Sequence, residues 1–436
     1  MNSNKHQIGM FSAAMMLTGA IIGSSIFIAT GWQAENMGPS VWFTYVIGAL
    51  LSVPACFQYA QIGSVMPMRG ACYETIKRTT GDLSAFIYGW LYIVWICIFL
   101  PYCAHAIAKY FLVYFPEAPV MVIAVAVLVF FGALNCIGLG VAAKVQNVIV
   151  GILIASMLVF IFCGIKYFDP ANMTPLFPYG GKAVIDEIVP SYFGFIAFYC
   201  ITEWAGEIKD AKRNLPRAVM LTLAIVSVLY IGLSFMLCGV VNYTELGMDA
   251  VVAAVAKALY SPAAAIFIFF GCIAATVSTV NGMMATIARE IAAIADHGYL
   301  PKVLAKTNER GAPYYAVILC VILAIIICFI SDQVMVYIDV VTIFMLVGMV
   351  HAGVASLFIK KKMANEYQLA PFKLKGFWYY FWPLAIVIPN IAIIIYTLIG
   401  VPNMIVPSLL ITVVGCIIFF AGNKRMAKNN LSNPNN

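Results

Sequence analysis

Residues able to make or break bonds are scarce and scattered. The four histidines, His6, His105, His297 and His351, lie far apart, and neither an H-E-x-x-H nor a G-x-S-x-G pattern occurs. No metal centre, cofactor site or nucleophile–base pair is therefore expected, and an enzyme is not the reading. The polar residues that remain sit inside apolar runs. "TGAIIGSSIFIATG" (18–31) places Gly19, Gly23, Ser24 and Ser25, all weak helix formers, in the middle of one run. In a second run Gly194 stands among Tyr192, Phe193, Phe195, Phe198 and Tyr199, with Glu203 and Glu207 following. Ser278, Thr279 and Asn281 interrupt a third. Such residues do electrostatic rather than covalent work. A helix interrupted in hydrocarbon frees backbone N–H and C=O groups, which is tolerated only where the chain lines a polar cavity or is buried in protein. A half-helix starting after Gly23-Ser24-Ser25 would turn its free N–H groups and positive dipole end toward a carboxylate. Small residues also allow close helix packing, and spacing alone leaves both readings open.

The elements that carry these residues follow from composition. Of 436 residues 63% are hydrophobic and 10% charged, too few charges to cover a water-soluble surface. Twelve apolar spans are expected, at roughly 10–33, 39–66, 83–113, 119–139, 143–168, 185–207, 215–242, 261–295, 313–330, 334–360, 377–399 and 403–422, with short helices at 69–80 and 248–260. The first run is too long for a signal peptide and no small-residue cleavage site follows it, so it is expected to be a retained span. With both termini inside, every Lys and Arg except Lys109, Lys166, Lys182 and Lys257 lies on the cytoplasmic side, while Glu35, Glu117, Asp169, Asp186, Glu187, Glu245, Asp249 and Asp332 lie outside. The net charge of +7 thus reports topology rather than nucleic-acid binding. The twelve cysteines are spread singly through apolar segments and read as small buried side chains.

The interrupted first and sixth spans hold corresponding places if the first ten spans form two five-helix halves, the arrangement of a midplane transporter site. Several stretches make this specific. "GAIIGSSIF" (19–27) resembles the first-helix motif of amino acid permeases of the amino acid–polyamine–organocation superfamily. "YAQIGSVMPMRGACY" (59–73), "EIKDAKRNLPRA" (207–218), "AREIAAIADHGYLP" (288–301) and "RGAPYYA" (310–316) resemble their later landmarks, in the expected order. The resemblance implies an all-α polytopic membrane protein with a leucine-transporter-like 5+5 inverted repeat, broken helices 1 and 6, and two added helices. The halves would be 1–168 and 169–362, followed by 363–436 with helices 11 and 12 and the tail. It implies a secondary active transporter that holds a substrate carboxylate at Gly23, Ser24 and Ser25, with Ile21 also against the substrate, and its amino group at the carbonyls of Phe193 and Ile196. Phe193 would close over the site from outside, Tyr199 takes the place of a polar or acidic pocket residue, and Met283 that of a pocket aromatic. A pocket so edged suits a neutral or apolar amino acid.

Departures from the family pattern bear on coupling. Ser25 replaces a Gly, Gln61 replaces a Glu, and Leu153 falls where many proton-coupled or sodium-independent members carry a Lys. Leucine carries no proton, so either exchange or a cation held elsewhere is expected. Ser278 and Thr279 could supply hydroxyls near the first break, or bond only their own helix. Asn281 could reach the pocket or bridge helices. Glu203 is an intramembrane carboxylate, either proton- or amine-linked or a half-solvated structural group. Glu207 is expected to pair with Lys209, Arg213 or the 69–78 loop as part of an inner gate. His105 and His351 read as satisfied interior residues, and "FKLKGFWYYFWP" (372–383) as an interfacial belt. Alternatives are a polyamine or organic-amine carrier using Glu203, and a sensor or channel of the same fold. The loop "YFPEAP" (114–119) lacks the Cys that links heteromeric relatives to a heavy subunit, so no such subunit is expected, and a monomer or homodimer is. The expected partners are a small amino acid substrate and the lipid of the cell (plasma or inner) membrane.

Overall fold

The computed structural model describes residues 7–23, 25–112, 115–248, 250–330 and 338–432. The first apolar run is divided into α1 (Met10–Ile21) and α2 (Ser25–Met37). At about 1.5 Å per residue neither half crosses a hydrocarbon layer of roughly 30 Å alone. There follow α3 (Val41–Val65), the short α4 (Ala71–Thr80), α5 (Asp82–Leu112), α6 (Val120–Ile137) and α7 (Leu139–Gly164). The sixth pass is α8 (Gly180–Phe193), a 3-10 turn (Ile196–Tyr199), the one-turn α9 (Cys200–Glu203) and a second 3-10 turn (Ala205–Glu207). The chain continues through α10 (Ala211–Val240), α11 (Val251–Leu259), α12 (Pro262–Asp296), α13 (Tyr314–Ile330), α14 (Ile338–Lys362), α15 (Ala364–Leu369), α16 (Phe377–Gly400) and α17 (Ile405–Ser432). Ten stretches are long and apolar enough to cross a membrane unaided; the α1–α2 pair and the shorter α13 bring the passes to twelve.

Local chemistry sets several boundaries. Ser261 caps α12, accepting from the Ala264 N–H, with Pro262 at the first helical position. Gly138, at φ 146°, is the whole connection between α6 and α7, and starts the fifth pass four residues before its expected edge. That backbone setting disfavours side chains, so a one-residue reversal needs glycine here.

α12 is the mast of the bundle. Every side chain from Ser278 to Ala295 is buried, the mark of a helix surrounded by others. It packs on α7, α5, α1, α6 and α13, while α10 lies along α3 and α1, and α3 along α8. α16 and α17 sit at the periphery with most of their surface turned outward. The cysteines are mostly buried, with Cys136, Cys163 and Cys416 half-buried, and all are unpaired.

Candidate functional site

Both interrupted passes are broken where the small residues stand. α1 ends because Ile22 leaves the helix at φ −75°, ψ 89°. Its N–H still reaches the Thr18 carbonyl at 2.8 Å, and the Gly23 N–H turns back to the Ile21 carbonyl at 2.9 Å. α2 restarts at Ser25; the Ser24 expectation lies outside the described residues, as does the Ser25 side chain. The glycines have separate reasons. A Cβ on Gly19 would lie 2.3 Å from Gln146 Nε2 and 2.6 Å from Val150 Cγ2, so Gly19 permits close packing on α7. A Cβ on Gly23 would meet only Thr279, at 3.2 Å from Oγ1. Gly19 thus serves close packing, whereas Gly23 stands at the break itself.

The second break is more gradual. After Phe193 the N–H groups of Gly194 and Phe195 make three-residue bonds to Ser191 and Tyr192, at 3.2 and 2.9 Å. Phe195 (φ −109°, ψ 0°), Ala197 (φ −73°, ψ 15°) and Trp204 (φ −93°, ψ −2°) depart from α geometry. Ile196 opens the 3-10 turn and is buried; Phe193 is half-buried, its ring 6.4 Å from that of Phe99. Tyr199 is fully buried against Tyr92 and Trp95 of α5, with ring centroids at 4.4 and 6.1 Å, and its hydroxyl lies 3.6 Å from Met283 Sδ.

One side chain joins the two breaks. Tyr230 of α10 extends its hydroxyl to the Ile21 carbonyl and the Gly194 carbonyl, each at 3.2 Å. Phe195 and Tyr45 pack edge-on against its ring, at 5.0 and 5.4 Å. On the opposite flank Ser278 Oγ donates to the carbonyls of Ala275 (2.7 Å) and Gly19 (3.1 Å). Thr279 Oγ1 lies 3.0, 3.2 and 3.4 Å from the carbonyls of Gly19, Ala275 and Ile22. Two hydroxyl protons thus face three carbonyl oxygens, an oxygen-rich cluster with fewer protons than acceptors. Behind it Gln146 Nε2 donates to the Ser278 carbonyl, and Asn281 donates to Gln146 Oε1 (2.7 Å) and accepts from Asn135 (2.9 Å). Asn281 is thus a bridge between α6, α7 and α12. Tyr230, Gln146 and Asn135 gave no sequence signal beyond being polar in apolar spans.

The charged residues gather toward the end of the bundle that carries Arg69 and Lys209. Glu207 differs from its expected pairing: its carboxylate is held by Arg289 of α12, with Nε–Oε1 at 2.5 Å and Nη2–Oε2 at 3.1 Å. Lys209 and Arg213 are exposed instead, because Asp210 (φ 47°) turns the chain before α10. Glu203 also differs from a half-solvated group, since it is 1% exposed and beside a second buried carboxylate, Glu290. The main chain is clasped at this end by Ile8, whose N–H donates to the Glu207 carbonyl and whose carbonyl accepts from the Lys209 N–H, both at 2.9 Å. Arg69 pairs with Asp296. His297 Nε2 lies 3.2 Å from Glu74 Oε2, and Arg78 Nε donates to Glu74 Oε1 at 2.7 Å. The His297 contact, with Arg78 adding to it, holds the Glu74 carboxyl at about 2, and Glu74 in turn raises the His297 imidazole. His105 and His351 bond the carbonyls four residues before them. An open groove of about 620 Å³ lies elsewhere, lined by Phe57, Phe372, Leu374, Trp378 and Trp382 of the aromatic belt, away from the breaks.

Two helices broken side by side within a twelve-pass bundle define a leucine-transporter-like membrane protein. The crystal structure of MhsT in complex with L-phenylalanine has that fold: it superposes with a TM-score of 0.64 at 12% identity, covering 89% of this chain and 98% of its own. The amino acid permease family model matches residues 8–422, and the chain belongs to that family, one of permeases rather than enzymes. It is similar to the serine/threonine exchanger SteT of Bacillus subtilis, 25% identical over 98% of this chain and 99% of SteT. It is also similar to the branched-chain amino acid permease BcaP of Bacillus subtilis, 27% identical over 72% of each chain. A further relative is the methylthioribose transporter of Bacillus subtilis, 28% identical over 69% of each.

Proposed function

We propose that the protein is a secondary active transporter moving a neutral or apolar amino acid by alternating access. The carboxylate would sit at Gly23, Ser24 and Ser25 beside Ile21, with the Gly23 N–H turning from the Ile21 carbonyl to meet it, the ammonium on carbonyls at Phe193 and Ile196, and the side chain against Tyr199 and Met283. What carries this reading is the meeting of two helix breaks at one tyrosine, Tyr230, 3.2 Å from a carbonyl of each. A zwitterion stripped of water needs an anionic and a cationic partner, and freed peptide groups supply both without a buried charge. The similarity to a branched-chain permease and a serine/threonine exchanger supports the substrate class. Pairing of α3 with α10 and of α5 with α12 supports two five-helix halves, 1–168 and 169–362, followed by 363–436. The distribution of Lys and Arg supports a plasma- or inner-membrane protein with both termini cytoplasmic, as a monomer or homodimer without a disulfide-linked heavy subunit.

Exchange and cation-linked uptake are both compatible with Leu153. The proton-poor oxygens around Ser278 and Thr279 favour the second, as seats for a monovalent cation. The experiment is a thermal-shift screen of the purified protein against all proteinogenic amino acids and common amines, with and without sodium, followed by counterflow in liposomes. A neutral amino acid should raise the melting temperature and exchange saturably. Stabilisation by amines alone would replace this reading with an amine carrier using Glu203. Binding without saturable counterflow would make the protein a sensor or channel.

A further inference from the structure

One buried group is left unexplained by a cradle for a zwitterion. Glu290 of α12 is 2% exposed, and among the described residues no donor reaches Oε1 or Oε2; Glu203 of α9 is 1% exposed and its Oε2 lacks a donor among them as well. Glu203 Oε1 accepts from Thr202 Oγ1, at 3.2 Å. The two carboxyl groups lie within hydrogen-bonding reach of each other. The cavity is closed around them: a Cβ on Gly89 would come 2.4 Å from Glu290 Oε1, and one on Gly70 would come 3.7 Å from Glu203 Oε2. Two anions cannot stand this close away from water, whereas a carboxylic acid beside a carboxylate forms a short, strong hydrogen bond.

Among the described residues no cation bonds either carboxyl group. Cys72 and Tyr73 of α4, Tyr88 of α5, and Tyr199 and Cys200 of the sixth pass are the titratable neighbours, and none carries charge near neutral pH. Arg289 is adjacent, but its Nε and Nη2 are directed to Glu207 and its Nη1 donates to the Ala285 carbonyl at 2.8 Å.

We propose that Glu203 and Glu290 form a proton site: the pair binds one proton while the basic end of the bundle is closed and releases it when that end opens. This deepens the carrier reading and rests on it. The position carries the argument. Glu203 lies one turn before Glu207, and Glu290 directly follows Arg289, so the proton pair and the ion pair link the same two elements in successive layers. Any movement that draws the end of the sixth pass away from α12 breaks the ion pair, admits water and separates the carboxylates. The proton then leaves to that side. One proton would thus travel with each cycle, without the lysine that Leu153 replaces.

The test has two arms. In the first, wild-type protein and E290Q are melted in detergent between about pH 5.5 and pH 8.5, with no substrate present. A shared proton stabilises the closed form at low pH and is lost as pH rises, so the wild-type melting temperature falls across this range and E290Q flattens that fall. Contributions from Glu74 and His297 are common to both proteins and cancel in the difference. In the second arm, liposomes carry internal pyranine, and the amino acid giving the largest wild-type counterflow is added. Wild-type uptake should acidify the interior, and E290Q should keep counterflow within about twofold while losing about tenfold of pH-driven uptake. If E290Q does not fold, E203Q serves in both arms. Parallel melting curves for wild type and variant, or wild-type uptake without proton movement, would overturn the proton site. Absence of counterflow for every amino acid would instead overturn the carrier reading, and the melting curves would still judge the pair.

Discussion

The two helix breaks differ in how their loose ends are held. The first is abrupt: the chain leaves the helix at Ile22 in one step, and the buried carbonyls of Gly19 and Ile22 are met by hydroxyls from α12. The second is drawn out over a run of 3-10 turns that keep most of their own bonds, and it is gripped by aromatic rings from α5 and α10 and by a salt bridge at its end. A helix that stops in one step needs polar neighbours, because its peptide groups are left facing outward. A helix that tightens before stopping needs packing, because its peptide groups remain engaged and its side chains must find new places.

This contrast can be broken from either side. The largest effect is expected at the end of the second break. Glu207→Gln leaves Arg289, 1% exposed, without its carboxylate and should cost about 3 kcal/mol, read as a fall in melting temperature. Next is Gly19→Ala, which forces a methyl group into Gln146 and Val150 and should cost about 2 kcal/mol, whereas Gly23→Ala should leave stability nearly unchanged. Equal losses from the two alanines would mean that both glycines serve packing alone. Tyr230→Phe withdraws one hydroxyl from both breaks, at a cost of about 1 kcal/mol; counterflow should suffer more than melting temperature if the breaks form the site. The smallest effect is the pH response of the Glu74–His297 pair. Its histidine contribution is full below about pH 6.5 and is lost as pH rises through the raised folded value. Its carboxylate contribution is present above about pH 4.3 and is lost as pH falls toward the lowered folded value. His297→Gln should therefore remove the alkaline part of this response in a melting series.

How much of this was legible beforehand depended on whether the cause was local. Gly23 and Gly194 marked their breaks because weak helix formers act at their own positions, and the hydropathy runs located all twelve passes. The partner of Glu207 was not legible. Lys209 and Arg213 are its near neighbours in sequence, but the left-handed turn at Asp210 leaves them on the surface, and Arg289 arrives from another helix. Glu290 was hidden for a related reason. It stands beside Arg289 in the last two turns of its helix, and the packing of α12 on all sides makes it an interior acid. Tyr230 is one tyrosine in an apolar helix, and its role depends on two breaks meeting in space.

The clasp at Ile8 has a consequence for how this protein is studied. It joins main chain to main chain, so its two hydrogen bonds use no side-chain atom of positions 8, 207 and 209. A survey that exchanges side chains one at a time would pass over it. A change to the peptide itself, such as a proline at 8 or 209, would remove one of its two hydrogen bonds.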